Sequence, residues 1–304
     1  MRAQPLKAIL HDGALELRGE SIDRPQRIVH GMAALGRLKA DLLLHSRRAE
    51  PEELERVHAP GYVRGLRRLC EELPGARLDP ELTVEPRSYD VAACAAAAVI
   101  DAACQASPHT PPPICLTRPG SHHAGPDYGM GFCLFNNLAA AAAAALERGR
   151  AERVAILDID AHHGNGTEQI FWEDERVLTV SLHQYPFFPG TGAAADVGPA
   201  GTSLNLPLPA GAGASEARAA YRRALAAVEE HDPQLVLVEA GVDGHAADWT
   251  SDLELDDRTF HRFGQLLRRL CEGLGAALVV EMGGGYTEAA VMGGFGAFLE
   301  GLCS

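Results

Sequence analysis

The stretch Leu157 to Glu168, "LDIDAHHGNGTE", sets two aspartates and two histidines within Asp158 to His163, directly after the apolar run "RVAIL". Carboxylates desolvated at the edge of a core must be paired or bound to a metal. Asp160 and His162 stand two apart, so an extended backbone continued through them projects both side chains to the same side. With a third donor from another strand end they make a three-ligand site that leaves a position for water, the pattern of catalytic zinc. Asp243 in "EAGVDGH" is the candidate third donor. Its competing reading is an aspartate that caps the following helix.

His122 and His123 in "RPGSHHAG" are candidate general bases and acids, because imidazole titrates near the operating pH. A histidine pair is more often structural, and its place after a strand is what marks this one. Tyr286 follows three glycines, where a phenol can donate a hydrogen bond to a developing oxyanion from a flexible backbone. The same glycines read equally well as a tight turn before the last helix. Phe132 in "GMGFC" and Phe188 in "PFFPG" lie in loops and either fill core or line an apolar slot.

Positioning these groups requires strands that end at one place. "PICLT" (113–117), "RVAIL" (153–157), "RVLTVSL" (176–182), "QLVLVEA" (234–240) and "AALVVEM" (276–282) read as buried strands. Helical stretches over 91–106, 138–148, 215–230 and 257–273 separate them. Strands without alternation, divided by helices, indicate an α/β fold with a mostly parallel sheet covered on both faces. Each strand runs into a polar or Gly-rich segment, and ligands of such sheets bind outside the carboxyl ends of the strands. The segments are therefore predicted to converge on one pocket.

The 304 residues, 46% of them hydrophobic, suffice for one large domain over 1–304, with no linker or repeat dividing it. A net charge of −14, from 41 acidic and 27 basic residues, argues against nucleic-acid binding. Without a signal segment or a bilayer-length apolar span, a cytoplasmic protein with no membrane association is expected. Seven cysteines with no C-x-x-C pair read as small core residues in a reducing compartment.

Together, "RPGSHHAG…GFCLFNN", "DIDAHHGNGTEQIF", "VSLHQYPFFPGTG", "EAGVDGH" and "GGGY" resemble the zinc-dependent histone deacetylase family, which includes acetoin-utilisation proteins and acetylpolyamine amidohydrolases. The resemblance runs from about Asp23 to the last helix and implies the single-domain arginase–deacetylase fold. It implies Zn²⁺ on Asp160, His162 and Asp243, although Fe²⁺ and Co²⁺ suit similar donors. It makes His122 and His123 the tandem histidines, with His123 nearer the role of base, Asp158 hydrogen-bonded to His122 and Asn165 behind His123. An aspartate favours imidazolium more than an asparagine does, so the two rings should differ in pKa.

The resemblance further implies that Tyr286 polarises the acetyl carbonyl, and that Phe132 and Phe188 flank a tunnel kept open by Gly131. Gly284 and Gly285 are assigned to its wall. A structural K⁺ would sit at Asp158, Asp160, His162, Ser181 and Leu182, and Arg27 matches an arginine lining an internal acetate channel. His163 receives no catalytic role. "GESIDRPQRI" departs from the "HPERPER" of many relatives, and Glu81 is the candidate for the entrance-loop acid that grips peptide substrates.

The implied reaction is hydrolysis of acetyl-lysine or of a small acetylated amine. The alternatives are an acetylpolyamine-specific amidohydrolase, an arginase-like dinuclear manganese enzyme and a binding module; a homo-oligomer is left open. Thr250 stands at the pocket-mouth position where relatives carry leucine or, in acetylpolyamine enzymes, glutamate. Threonine there predicts no strong polyamine preference.

Overall fold

The five apolar runs predicted as strands form the middle of one sheet in the computed structural model, which describes residues 5–17 and 25–304. In chain order the elements begin β1 (Lys7–His11), α1 (Gln26–Arg37), β2 (Asp41–His45), α2 (Pro51–Leu54), α3 (Pro60–Glu72), β3 (Arg77–Asp79), β4 (Leu82–Thr83), α4 (Ser88–Gln105), β5 (Pro113–Leu116) and α5 (Asn137–Glu147). They continue with β6 (Val154–Asp158), α6 (Asn165–Phe171), β7 (Val177–Gln184), β8 (Ser203–Leu208), α7 (Ala214–His231), β9 (Leu235–Glu239), α8 (Asp257–Leu274) and β10 (Ala277–Glu281). A π-helical turn over Ala290–Phe295 leads into α9 (Gly296–Cys303). Eight strands make a parallel sheet in the order β2-β1-β5-β10-β9-β6-β7-β8, while β3 and β4 form a separate antiparallel hairpin.

Successive residues of the central strands feed opposite cores. Leu157, Val238 and Val280 pack on the side of Ile28, Phe263 and Phe298, from α1, α8 and α9. Ile156, Leu237 and Val279 pack on the side of Val63, Ile100 and Leu138, from α3, α4 and α5. Both faces are thus apolar, which is why these strands lack polar alternation. Three strands of this sheet were not predicted, nor was the β3–β4 hairpin. β1 is short and near the amino terminus, β2 is solvent-exposed, and β8, "SLNLPL", carries Pro207, which a sheet edge tolerates. Part of "GESIDRPQRI" lies outside the described residues.

Two buried histidines tie loops to the sheet without carrying charge. His58 donates through Nδ1 to the Gly125 carbonyl at 2.8 Å and accepts the Asn136 N–H at 3.0 Å, and burial lowers its pKa to about 4. His11 pairs with the Asp12 carbonyl and accepts the Arg118 N–H at 3.2 Å, and burial likewise lowers it to about 4. The unfolded chain binds these protons near pH 6.5, so stability is fully present above that value and is lost as pH falls toward 4. Each group contributes on the order of 3 kcal/mol across that window. The urea midpoint should fall from pH 7 to pH 5, and His58→Gln should flatten the slope; parallel slopes would contradict this origin.

Candidate active site at the strand ends

β6 stops at Asp158, so Asp160 and His162 do not lie on a continued strand as the two-residue spacing assumed. Two consecutive side-chain turns bring them together instead: Asp160 N–H donates to Asp158 Oδ1 at 3.0 Å, and His162 N–H donates to Asp160 Oδ1 at 3.0 Å. Asp243, beyond β9, completes the cluster, with donor atoms of all three residues within 4.8 Å of one another. Asp243 caps no helix; its Oδ1 accepts the Ala161 N–H at 2.8 Å and its Oδ2 lies 2.9 Å from His162 Nδ1. Burial and the neighbouring Asp160 carboxylate push Asp243 up to about 7. Two buried carboxylates facing one imidazole fit a divalent cation, whose charge would offset that repulsion.

The tandem histidines lie against this cluster, their rings 3.9 Å apart between centroids. His122 Nδ1 meets Asp158 Oδ2 at 2.7 Å, and Gly164 has room beside that carboxylate only because it lacks a Cβ, which would fall 2.4 Å from Oδ2. Burial opposes charge on His122, but Asp158 and Asp160 outweigh it and raise its pKa to about 9. His123 Nδ1 meets Asn165 Oδ1 at 2.7 Å. Burial, then the charge of His122, hold His123 well below its ordinary value. The two imidazoles are thus pushed in opposite directions, His122 toward the charged and His123 toward the neutral form.

Tyr128 decides which nitrogen of His123 is free, and sequence reasoning missed it. Its hydroxyl donates to Gln169 Oε1 at 2.7 Å and accepts Asn165 Nδ2–H at 3.0 Å, which turns Asn165 Oδ1 toward His123. His123 must then carry its proton on Nδ1 and keep the lone pair on Nε2. Only the register of "GPDY" against "GNGTEQ" across two elements reveals this, which local spacing does not show.

The glycines before Tyr286 are packed rather than flexible. A Cβ on Gly284 would fall 2.5 Å from Asp160 Oδ2 and 2.6 Å from Asp243 Oδ2, and the Gly284 N–H donates to Asp160 Oδ2 at 2.8 Å. Gly285, at φ +141, abuts Val242. Tyr286 is anchored by Asp248, whose Oδ2 accepts the N–H groups of Tyr286 at 2.7 Å and Thr287 at 3.2 Å. Asp248 Oδ1 accepts both the N–H and the hydroxyl of Thr250, at 3.1 and 2.7 Å. Its carboxylate is fully engaged, so Asp248 positions the tyrosine and Thr250 is tied back to it.

Phe132 and Phe188 flank the cluster from two sides. Phe132 stands edge-on to Tyr286 at 6.0 Å and Phe188 edge-on to His123 at 5.2 Å between ring centroids. Gly131, at φ +53, passes so close to His123 that a Cβ would lie 2.4 Å from its ring. Phe187, overlooked beside Phe188, stacks on His162 at 5.4 Å. Glu81 is exposed in the β3–β4 turn, whereas Asp79 reaches the loop before Phe132 by accepting the Gly131 N–H at 2.7 Å.

Behind the site, Asp158 and Ser181 are register partners on β6 and β7, and both line a small cavity with Glu168, Ser203, Asn205, Ile156 and Val180. Leu182 is buried next to Ser181. His163 points away from the tandem pair, its Nδ1 at 2.8 Å from the Thr191 hydroxyl. Arg27 donates to the Met282 and Gly283 carbonyls at 3.0 and 2.7 Å and to that of Thr117 at 3.2 Å, fixing the end of β10. Beneath it Glu239 and Glu281 are register partners, and burial followed by, for Glu239, the charge of Glu281 pushes both above the ordinary carboxylate range.

Residues 18–302 match the family model described as the histone deacetylase domain. The chain is 38% identical over 252 residues to a histone deacetylase-like amidohydrolase of Pseudomonas aeruginosa, covering 80% of this chain and 66% of that protein. It is 40% identical over 177 residues to acetylpolyamine amidohydrolase 2 of the same bacterium, covering 56% of this chain and 50% of that protein. The matched segments thus span about half to two thirds of these relatives. The crystal structure of the HDA15 HD domain superposes with a TM-score of 0.88 at 29% identity, covering 98% of this chain and 91% of that one. The parallel sheet with its strand-end cluster is accordingly the arginase–deacetylase fold, and the chain belongs to the histone deacetylase domain family of deacetylases and amidohydrolases.

Proposed function

We propose that the chain hydrolyses the acetyl amide of an acetylated primary amine, acetyl-lysine or a small acetylated amine, with Zn²⁺ held by Asp160, His162 and Asp243. The observation that carries this reading is the buried three-donor cluster set directly against His122, paired with Asp158, and His123, paired with Asn165. Zinc bound there supplies Lewis-acid polarisation of the amide carbonyl and acidifies water. His123 Nε2 takes the proton of the attacking water, with Asn165 and Tyr128 fixing that nitrogen as the acceptor. The Tyr286 hydroxyl donates to the carbonyl oxygen as it gains negative charge. The histidine pair then delivers a proton to the leaving nitrogen, releasing acetate and a free amine. Phe132 and Phe188 hold the aliphatic stem of the substrate.

A structural K⁺ near Asp158, Ser181 and Leu182 is part of the same proposal, supported by the small cavity behind β6 and β7 that Asp158 and Ser181 line. Residence in the cytoplasm is supported by seven cysteines free of disulfides. No helix among the described residues is long and apolar enough to cross a membrane.

Specificity tests the substrate class. Neither Thr250 nor the fully engaged Asp248 offers a free carboxylate to a second ammonium, so acetyl-lysine peptides and acetylpolyamines should be cleaved with comparable kcat/KM. Thr250→Glu should shift the ratio of kcat/KM values toward acetylpolyamines about tenfold, equivalent to about 1.4 kcal/mol. The ratio is the proper readout, because the new carboxylate also repels Asp248 and lowers both rates. A hundredfold preference of the unaltered enzyme for acetylpolyamines would overturn this account of the mouth.

A further inference from the structure

Trp249 is 64% exposed, and its indole has no hydrogen bond or ring contact among the described residues. Its backbone, by contrast, is pinned on both sides. Before it, Asp248 holds the Tyr286 and Thr287 N–H groups, and the Ala247 carbonyl accepts the Thr287 hydroxyl at 3.1 Å. After it, Ser251 donates its hydroxyl to the Asp243 carbonyl at 2.8 Å. Asp252 and Gln184 exchange two further bonds, Asp252 N–H to Gln184 Oε1 and Gln184 Nε2–H to Asp252 Oδ2, both at 2.8 Å. Gln184 ends β7 and leads into the loop of Phe187 and Phe188. Trp249 is one residue from the partner of Tyr286 and two from that of Asp243, so chain connectivity keeps it at the rim of the site. A large apolar ring left in water on a backbone that cannot retract is the arrangement of a binding anchor, whose ordering is complete before a ligand arrives.

We propose that Trp249 selects acetyl-lysine peptides with an apolar side chain beside the acetylated residue, which lies against the indole while the lysine stem occupies the slot between Phe132 and Phe188. The inference rests on acetyl-lysine being the group taken at this site. A neighbouring leucine or phenylalanine covers apolar surface that is otherwise wet, and an indole offers a large face for it. A second ammonium gains less. Cation–π attraction at an exposed ring is weak, and the carboxylates nearest in sequence, Asp248 and Asp252, already accept hydrogen bonds. Parity with acetylpolyamines then belongs to peptides whose acetyl-lysine is flanked by glycine. The ring is remote from the reacting carbon, so it contributes equally before and at the transition state and acts on KM rather than kcat.

The test uses peptides that differ only in glycine, leucine or phenylalanine beside the acetyl-lysine. The leucine and phenylalanine peptides should show KM about tenfold below that of the glycine peptide at equal kcat. Trp249→Ala should bring the three KM values together, and Trp249→Phe should restore most of the spread. Fluorescence gives a readout that needs no turnover. The chain's other tryptophan, Trp172, is removed as Trp172→Phe, and Tyr286→Phe slows hydrolysis. Adding the leucine peptide to this zinc-loaded protein should move the Trp249 emission to the blue and saturate. Equal KM values for the three peptides in the unaltered protein overturn the proposal, as does a spread that survives in Trp249→Ala. If no acetylated peptide is hydrolysed, the hydrolysis reading fails and the emission decides: a saturable blue shift retains Trp249 as the recognition residue, and an unmoved spectrum removes it.

Discussion

Asp160→Ala, His162→Ala and Asp243→Ala are each expected to lose bound zinc and with it hydrolysis of acetyl-lysine peptides. A Lewis acid contributes several kcal/mol at the transition state, and each 1.36 kcal/mol is tenfold in rate, so turnover should fall at least about 10³-fold. Asp243→Ala has a further effect, since its Oδ1 holds the Ala161 N–H and thereby the loop between Asp160 and His162. Metal analysis alongside the rate separates the possibilities. Full zinc retention in one variant would remove that residue from the donor set, and unimpaired hydrolysis without zinc would remove the metal from the reaction.

Tyr286→Phe is the second large effect expected. The variant should fold, keep its zinc and lose on the order of 10²–10³ in kcat, the usual cost of one oxyanion donor. KM should move little, because the hydrogen bond strengthens only as charge develops on the carbonyl oxygen. Asp248→Asn should lower kcat about tenfold with zinc retained, as it weakens the charge-assisted bonds to the Tyr286 and Thr287 N–H groups while the phenol remains. An unchanged kcat in Tyr286→Phe would make that residue structural.

The difference between the two variants reflects what local sequence can carry. The central strands β5, β6, β7, β9 and β10 were legible because burial on both faces leaves short apolar runs without polar alternation, each followed by a polar or Gly-rich segment. β2 and β8 were not, since the three leucines of "DLLLH" are flanked by Asp41 and His45 and "SLNLPL" is interrupted by Asn205 and Pro207. Asp160, His162 and Asp243 were legible from donor type and their place after strands. The reason offered for Asp160 and His162 was incomplete, because side-chain turns rather than strand period aim them. Tyr128, Asp248 and Phe187 act through contacts between segments far apart in sequence, and no pattern within either segment announces them. The glycines before Tyr286 were read as either flexible or a tight turn, whereas the carboxylates of Asp160 and Asp243 leave no space for a Cβ at Gly284.

One measurement bears most directly on the claim that a single cation in the Asp160–His162–Asp243 cluster drives amide hydrolysis. Metal-stripped protein is titrated with Zn²⁺ while acetate release from an acetyl-lysine peptide is followed. Turnover should start near zero, rise linearly and level off at one equivalent per chain. Saturation at two equivalents would point to a dinuclear site, and full turnover by the stripped protein would contradict the account outright.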